Sequence, residues 1–330
     1  MAEPLPPVMQ FPARALKGGT VAILGGTGFV GRALIDGWPV TDRHRLRVLI
    51  HRSRPDWLKV SDFDVRAVDA ASVTELARAF DGATTLIDLL RPIGDGSRLA
   101  VAECVGKALA EAGVRRVIHA SSIDVYGNNP APIIDPETPA TPISAYADEH
   151  LAAERLAEKR PLATTILRLG AVFGPGGRNL QAIANEVATA PAWRLAARRS
   201  LNGSRRLHLV SLETVVQTVI QLANADAPPP RLIVTDDAAP ENNFATVQDL
   251  LIRTFRRPDV SGVPVLPRIV LRAALALRGQ PGALAHRRFS EPGLGLVGRA
   301  GAERFFERLG HYVGTFADGA QGDRLGHPAG

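Results

Sequence analysis

The chain has a single cysteine, Cys104, so neither an intrachain disulfide nor a cysteine-built metal cage is open to it. Lysine is scarce: it occurs only at Lys17, Lys59, Lys107 and Lys159, and the other cations are arginines. The formal charge of +6 comes from arginines spread along the chain, one or two per predicted helix. A phosphate-tracking stripe would cluster on one element, so nucleic acid is not an expected partner. No apolar run approaches the roughly 20 residues of a membrane span, which argues against stable insertion. The opening Met1-Ala-Glu-Pro-Leu-Pro-Pro lacks the basic and apolar regions of a secretory signal, and the cytoplasm is expected. Eight histidines show no HxH or HExxH spacing, so no metal site is predicted. What remains is an ordinary globular composition, 45% hydrophobic and 22% charged. At 330 residues it is longer than one compact core, which predicts a large domain with a smaller partner.

Thr20-Val-Ala-Ile-Leu24 reads as a strand, followed by Gly25-Gly-Thr-Gly-Phe-Val-Gly31 and a helical Arg32-Ala-Leu-Ile35. Further strands are read at Leu46–Ile50, Val65–Val68, Thr84–Leu90, Arg116–Ala120, Ala163–Leu169 and Arg231–Thr235. Between them lie a helix capped by Ser72 with Glu75 three residues on, and another from Leu99 to Ala112 ended by Gly113. Strands alternating with helices predict an α/β fold with a parallel sheet covered on both faces. The proline-rich stretch from Asn128 to Pro142 reads as a long loop beyond a strand end, where such sheets bind ligands. Near the end, one helix is expected over Ala302–Leu309, then a loose glycine-rich tail.

Three constellations carry chemistry. The first is the glycine loop, where Gly25, Thr27, Gly28, Phe29, Val30 and Gly31 lie between strand and helix. Glycines there let the backbone turn and approach a pyrophosphate, whose charge meets the free N–H groups of the helix. The second is the end of the second strand, where an NAD site places an acidic residue on the ribose. This chain has Ile50-His51-Arg52-Ser53-Arg54 instead. Arginine suits a 2′-phosphate, so Arg52 points to NADP, with NAD the lesser expectation. Asp69, ending the third strand, is a candidate for the adenine side, although an aspartate opening a loop also serves its own backbone. The third constellation is Ser121-Ser122…Asp124-Val125-Tyr126-Gly127, followed by Tyr146 and His150 four apart on one helical face. A tyrosine with a nearby cation moves protons, and a serine hydroxyl can hold a carbonyl oxygen. His119, within its strand, reads as a packed core histidine.

Together these motifs, with Leu167-Arg168…Phe173-Gly174-Pro175 and Val210-Ser-Leu-Glu-Thr-Val-Val216, resemble the extended short-chain dehydrogenase/reductases, the NAD-dependent epimerase/dehydratase family. Ala302–Tyr312, with Leu309-Gly310, faintly resembles the family's late helix. The resemblance implies a Rossmann-type doubly wound parallel sheet with a smaller C-terminal substrate domain. The expected division is an extension over 1–18, a dinucleotide domain over 19–175 and a mainly substrate-binding region over 176–330, with about 207–240 returning to the first domain. It further implies a nicotinamide cofactor, hydride transfer at a sugar carbon, and a homodimer formed through two helices of the main domain. Residue by residue, Ser122 takes the catalytic serine position and Tyr146 the tyrosine, with Asp124 and Arg206 (or Arg205) as substrate-binding candidates.

The chain also departs from that pattern. The lysine four after the tyrosine is His150, whose reference pKa of about 6.5 against about 10.4 leaves it often uncharged near neutrality. Tyr146 then stays protonated, which favours reduction over oxidation. Ile123-Asp124 replaces an Asp-Glu pair of the sugar dehydratases, Ala171 replaces an epimerase asparagine, and Ser211-Leu-Glu-Thr214 replaces His-Val-Asp-Asp. The missing carboxylate of that pair makes a dehydratase the least favoured subclass, while the other two departures bear on the nucleotide-sugar substrate. The leading expectation is an NADP-dependent oxidoreductase or epimerase of a sugar, nucleotide sugar or similar carbonyl compound. The alternatives are an NADP-binding sensor or assembly protein with weakened chemistry, and a basic protein at a membrane surface or nucleic acid, for which Pro267–Arg278 supplies an amphipathic basic stretch.

Overall fold

The computed structural model describes residues 19–51, 54–59, 62–92, 94–129, 131, 133–267, 270, 288–289 and 304–322. Two compact units emerge, each assembled from separated segments. The first comprises residues up to 127, 142–168 and 216–232; the second comprises 128–141, 169–215 and 233 onward. The boundary expected at 175 falls instead after Arg168. Ala171 donates to the His208 carbonyl, which pairs the chain there with another segment of the second unit.

The first unit is organised by a seven-stranded parallel sheet. Its strands are β1 (Thr20–Leu24), β2 (Leu46–Ile50), β3 (Asp64–Ala67), β4 (Ala83–Asp88), β5 (Arg116–Ser122), β7 (Ala163–Leu169) and β10 (Arg231–Val234). Their order is β10-β7-β5-β4-β1-β2-β3. The chain reverses direction across the sheet between β1 and β4, and the crevice beyond those two strand ends is where doubly wound sheets bind ligands. β2 is buried along its whole length, as a strand covered on both faces must be. The helices are α1 (Phe29–Gly37), α2 (Val73–Phe80), α3 (Ser97–Glu111), α4 (Ala145–Glu158) and α7 (Leu212–Asn224). Under α2 and α3 lies an apolar core of Leu24, Leu76, Phe80, Leu86, Val105, Leu109 and Val117.

Ser72 caps α2 as expected, accepting from the Glu75 N–H. Glu75 does not close the reciprocal box. Its carboxylate reaches past Ser72 to accept from the Asp69 N–H at 2.8 Å. Gly113 is not a left-handed cap; α3 leaves through an extended Ala112, which sends the chain directly towards β5.

The second unit contains the short parallel pairs β8 (Ala171–Phe173) with β9 (Leu209–Ser211), and β6 (Ile133–Ile134) with β11 (Arg288–Phe289). Its helices are α5 (Gln181–Thr189), α6 (Ala192–Asn202), α8 (Phe244–Thr254) and α9 (Phe305–Gly322). Its core gathers Phe173, Val187, Leu195, Leu251, Phe305 and Tyr312. α9 begins later than the sequence suggested and continues to Gly322, so residues 310–322, expected to be loose, are helical. Phe305, Leu309, Tyr312 and Val313 explain the difference, since they repeat at helical spacing and are buried together. That burial outweighs the helix-weakening glycines Gly310 and Gly314.

Candidate active site

The glycine loop opens directly from β1. Gly25 adopts φ +82°, and a Cβ there would press within 3.0 Å of the Leu89 backbone at the end of β4. Gly31 is more demanding: a Cβ would stand 2.3 Å from the Gly25 carbonyl and 2.6 Å from the Gly26 Cα. Gly28 is the N-cap of α1 and offers no side chain to its first turn. A Cβ at Gly28 would meet only the Gly25 carbonyl, at 3.3 Å. Thr27 and Gly28 are exposed, Phe29 and Val30 half-buried. The loop is therefore a backbone cradle ending on uncapped helix N–H groups, the surroundings a dinucleotide pyrophosphate requires.

On the other side of the crevice, Ser122 closes β5, and its Oγ accepts from the Asp124 N–H at 3.2 Å. Ser144 caps α4 by accepting from the Ala147 N–H, which sets Tyr146 in the first helical turn. Tyr146 lies half-buried with its phenol in hydrogen-bonding reach of the Ser122 hydroxyl. Burial pushes the phenol's pKa above its ordinary value; Asp124 adds to the rise, while Arg91 and the Ser122 hydrogen bond oppose it. The His150 ring stands edge-on to Tyr146, with centroids 4.7 Å apart. Burial, reinforced by His119, Arg98 and Arg91, brings the His150 pKa down to about 3. At neutral pH the residue in the lysine position is an uncharged imidazole, with its Nε2 buried and without a hydrogen bond.

Beneath this pair lies a polar layer that sequence reading missed. Asp88, ending β4, accepts a short hydrogen bond from Arg98 and sits 3.0 Å from His119 Nδ1. Burial alone would raise the Asp88 carboxyl, but the Arg98 charge and the His119 hydrogen bond hold it far below the carboxylate range. His119 is buried as expected, yet as a partner of Asp88 and not as an apolar packing residue. Glu149, next to His150, accepts from the Gly94 N–H at 3.0 Å and the Arg98 N–H at 2.7 Å. It thereby caps α3, whose own N-cap is the left-handed Gly96. One helical turn on, Glu154 takes a two-pronged contact from Arg168, at 3.0 and 2.7 Å, and a 2.5 Å bond from the Ser121 hydroxyl. Arg168 also donates to the Tyr126 hydroxyl at 2.7 Å. No local spacing signals these contacts, because the partners lie on different elements.

The remaining candidates fall elsewhere. Asp69 is exposed, and its carboxylate accepts from the Ala71 N–H at 2.9 Å, so it organises its own turn. Arg52 lies outside the described residues; Arg54 nearby is exposed. Arg206 belongs to the second unit and donates to the Asp237 carbonyl at 2.7 Å. In the same unit, Arg308 of α9 donates to the Ser211 and Thr214 hydroxyls at 3.1 and 3.2 Å. It also pairs with Glu213 at 2.8 Å, so the Ser211–Thr214 stretch is occupied by internal contacts. Below it, burial lifts the Asp236 pKa to about 6. Among the described residues no three potential ligands gather into a metal site, and no helix is long and apolar enough to cross a membrane.

Residues 21–207 match the NAD dependent epimerase/dehydratase family. The chain belongs to that family. An epimerase family protein of Mycobacterium bovis is 25% identical over 315 residues, covering 93% of this chain and 96% of its own length. Among solved structures, UDP-glucose 4-epimerase of Thermotoga maritima, seen with UDP-glucose, aligns with a TM-score of 0.65 at 16% identity. That alignment covers 91% of this chain and 99% of the other. A human epimerase family protein solved with NADPH aligns with a TM-score of 0.60 at 16% identity, over 91% and 99% of the two chains. At those identities the structures share the fold with this family member, an NAD-dependent type of enzyme by its family.

Proposed function

We propose that this family member is an NADPH-linked reductase or epimerase of a nucleotide sugar or a related carbonyl compound, with Tyr146 as its acid/base. The observation that carries the reading is the pairing of Ser122 and Tyr146 beyond β5, with the tyrosine held protonated beside an uncharged His150. The glycine cradle fits a dinucleotide, with Gly25, Thr27, Gly28, Phe29, Val30 and Gly31 holding the pyrophosphate. Arg52 is assigned to the 2′-phosphate and Asp69 to the adenine side. When bound, the nicotinamide supplies or takes up the hydride.

This chain's part is to hold and to move a proton. The Ser122 hydroxyl donates to the substrate's carbonyl oxygen and fixes its distance from Tyr146. As that oxygen gains negative charge, the Tyr146 phenol donates its proton to it. A tyrosine whose pKa is raised stays protonated at neutrality, so the form that donates is populated and the form that would act as base is not, which favours reduction over alcohol oxidation. Asp124, exposed beside Ser122, is assigned to the substrate's polar groups. The same reading makes the protein a cytoplasmic homodimer, which analytical ultracentrifugation checks.

The first experiment titrates the protein with NADPH and with NADH, following nicotinamide fluorescence, and repeats both with Arg52→Asp. Tight NADPH binding that is lost or switched towards NADH in the variant supports the cofactor assignment, and keto-sugars are then screened. Binding of NADH alone overturns the role given to Arg52. The uncharged His150 also favours a second reading, an NADPH sensor with weakened chemistry. That reading prevails if NADPH binds but Tyr146→Phe alters no turnover with any carbonyl substrate.

A further inference from the structure

Ser122 and Tyr146 come from different elements, the end of β5 and the first turn of α4, and their meeting has to be set by something. We infer that the buried Glu154–Arg168 ion pair sets it, holding the serine-bearing segment at both ends, by the Ser121 hydroxyl and by the Tyr126 hydroxyl. The inference rests on the roles proposed above for Ser122 and Tyr146. Successive side chains of a strand point to opposite faces, so Ser121 faces α4 while Ser122 leads into the next turn. Glu154 of α4 accepts from the Ser121 hydroxyl at 2.5 Å. Ser122 then caps the short turn Ile123–Tyr126, and at its end the Tyr126 hydroxyl accepts from Arg168 at 2.7 Å. Arg168, on β7, holds Glu154 by two contacts at 3.0 and 2.7 Å, so the two attachments form one unit. None of the four residues is more than 4% exposed. Tyr146 precedes Glu154 by about 12 Å of stiff helix, so fixing Glu154 against Ser121 fixes where the phenol stands along β5.

Holding the fold together would not need this arrangement. Apolar side chains of the same volume often serve a core as well as a buried ion pair does, and they have no direction. Here the direction is used, because each partner of the pair carries a further bond and both bonds go to the Ser121–Tyr126 segment. Ser122 lies between them, half-buried, with its oxygen accepting from the backbone of its own turn. A misplacement of about 1 Å in such a group costs about a hundredfold in rate. Ser121, Tyr126, Glu154 and Arg168 are positioning residues: they act through Ser122. Ser121→Ala removes one attachment and leaves the ion pair whole, and Tyr126→Phe removes the other.

Three tyrosines occur, Tyr126, Tyr146 and Tyr312, so carbon-13 labelling of the ring follows each, with Tyr146 assigned by Tyr146→Phe. The cofactor-free full chain is titrated with base. Burial raises the Tyr146 pKa and the Ser122 hydrogen bond opposes the rise, so Ser122→Ala is expected to move the phenol's midpoint further up. Ser121→Ala is expected to reproduce most of that shift, and to add nothing when combined with Ser122→Ala. Tyr126→Phe repeats the test from the other end and decides it should Ser121→Ala fold poorly. Tyr312, in the second unit, stays unmoved. An unmoved Tyr146 in a folded Ser121→Ala or Tyr126→Phe chain overturns the inference. So does a shift that adds in full to that of Ser122→Ala, an equal shift at Tyr312, or a Tyr146 indifferent to Ser122→Ala. NADPH titration of the same samples separates the two claims: failure to bind defeats the proposed function, while the phenol titration still decides the role of the ion pair. Where turnover is measured, Ser121→Ala is expected to lower kcat by about ten- to a hundredfold with KM and the Kd for NADPH unchanged, and an unchanged kcat overturns the inference.

Discussion

Restoring the family lysine at His150 is expected to damage this protein. The site that pushes the imidazole down from 6.5 to about 3 disfavours a positive charge there by ~5 kcal/mol, at about 1.4 kcal/mol per tenfold change. Asp88 offers no relief, because Arg98 already neutralises it and His119 occupies the same oxygen. A lysine has two ways to settle. It can stay charged against that environment, or it can give up its proton at pH 7, which from a reference pKa of about 10.4 also takes ~5 kcal/mol. Some relief from side-chain flexibility brings the expected loss to about 3–5 kcal/mol, a large part of a stability that is typically about 5–15 kcal/mol. Urea unfolding of His150→Lys at pH 7 reads the loss, with His150→Gln as an uncharged control near wild type. A sign test accompanies it. The folded lysine has the lower pKa, so the variant's deficit is largest near neutrality and shrinks as pH rises towards 10. Equal unfolding midpoints for His150→Lys and wild type at pH 7 would refute the argument.

Other expectations follow from the same geometry. His150 has a depressed pKa in the folded state, so its contribution is present above about pH 6.5 and is lost as pH falls towards 3; His150→Asn should flatten the fall in melting temperature across that window. Asp236 is the opposite case. Its raised pKa gives a contribution complete below about 3.8 and lost as pH rises through about 6, so Asp236→Asn should remove that decline, read by thermal unfolding at pH 4 and 7. Glu154→Ala strands the buried Arg168 and should cost about 3–5 kcal/mol, whereas Glu154→Leu with Arg168→Met should recover most of it in denaturant unfolding. Gly28→Ala should fold normally and bind NADPH weakly, while Gly31→Ala should lose about 1–3 kcal/mol of stability as well, because only its Cβ collides with the loop backbone.

What was legible in the chain was what is local. β1, the glycine turn and the start of α1 occupy adjacent residues, and each carries its own chemistry, so position and purpose were read together. Tyr146 and His150 were legible because a helix brings residues four apart onto one face. Asp88, Arg98 and His119 join two strands and a helix, and Glu154 meets Arg168 across a turn and a strand. No periodicity marks such a meeting, and in an arginine-rich chain Arg98 looks like any other arginine. The length of α9 was missed for a related reason. Gly310 and Gly314 read locally as breakers, whereas the burial of Phe305, Leu309 and Tyr312 that overrules them depends on distant residues.

The order of segments along the chain bears on how it is made. β7 lies next to β10 at one side of the sheet, and β10 is residues 231–234. A nascent chain can complete the glycine turn and six of the seven strands while β7 still presents a bare hydrogen-bonding edge. That edge stays open through about sixty further residues of translation. The core containing Phe173 must wait longer still, for Phe305 and Tyr312. During that interval the ribosome holds a part-built sheet, and a chaperone that shields strand edges would be of most use then.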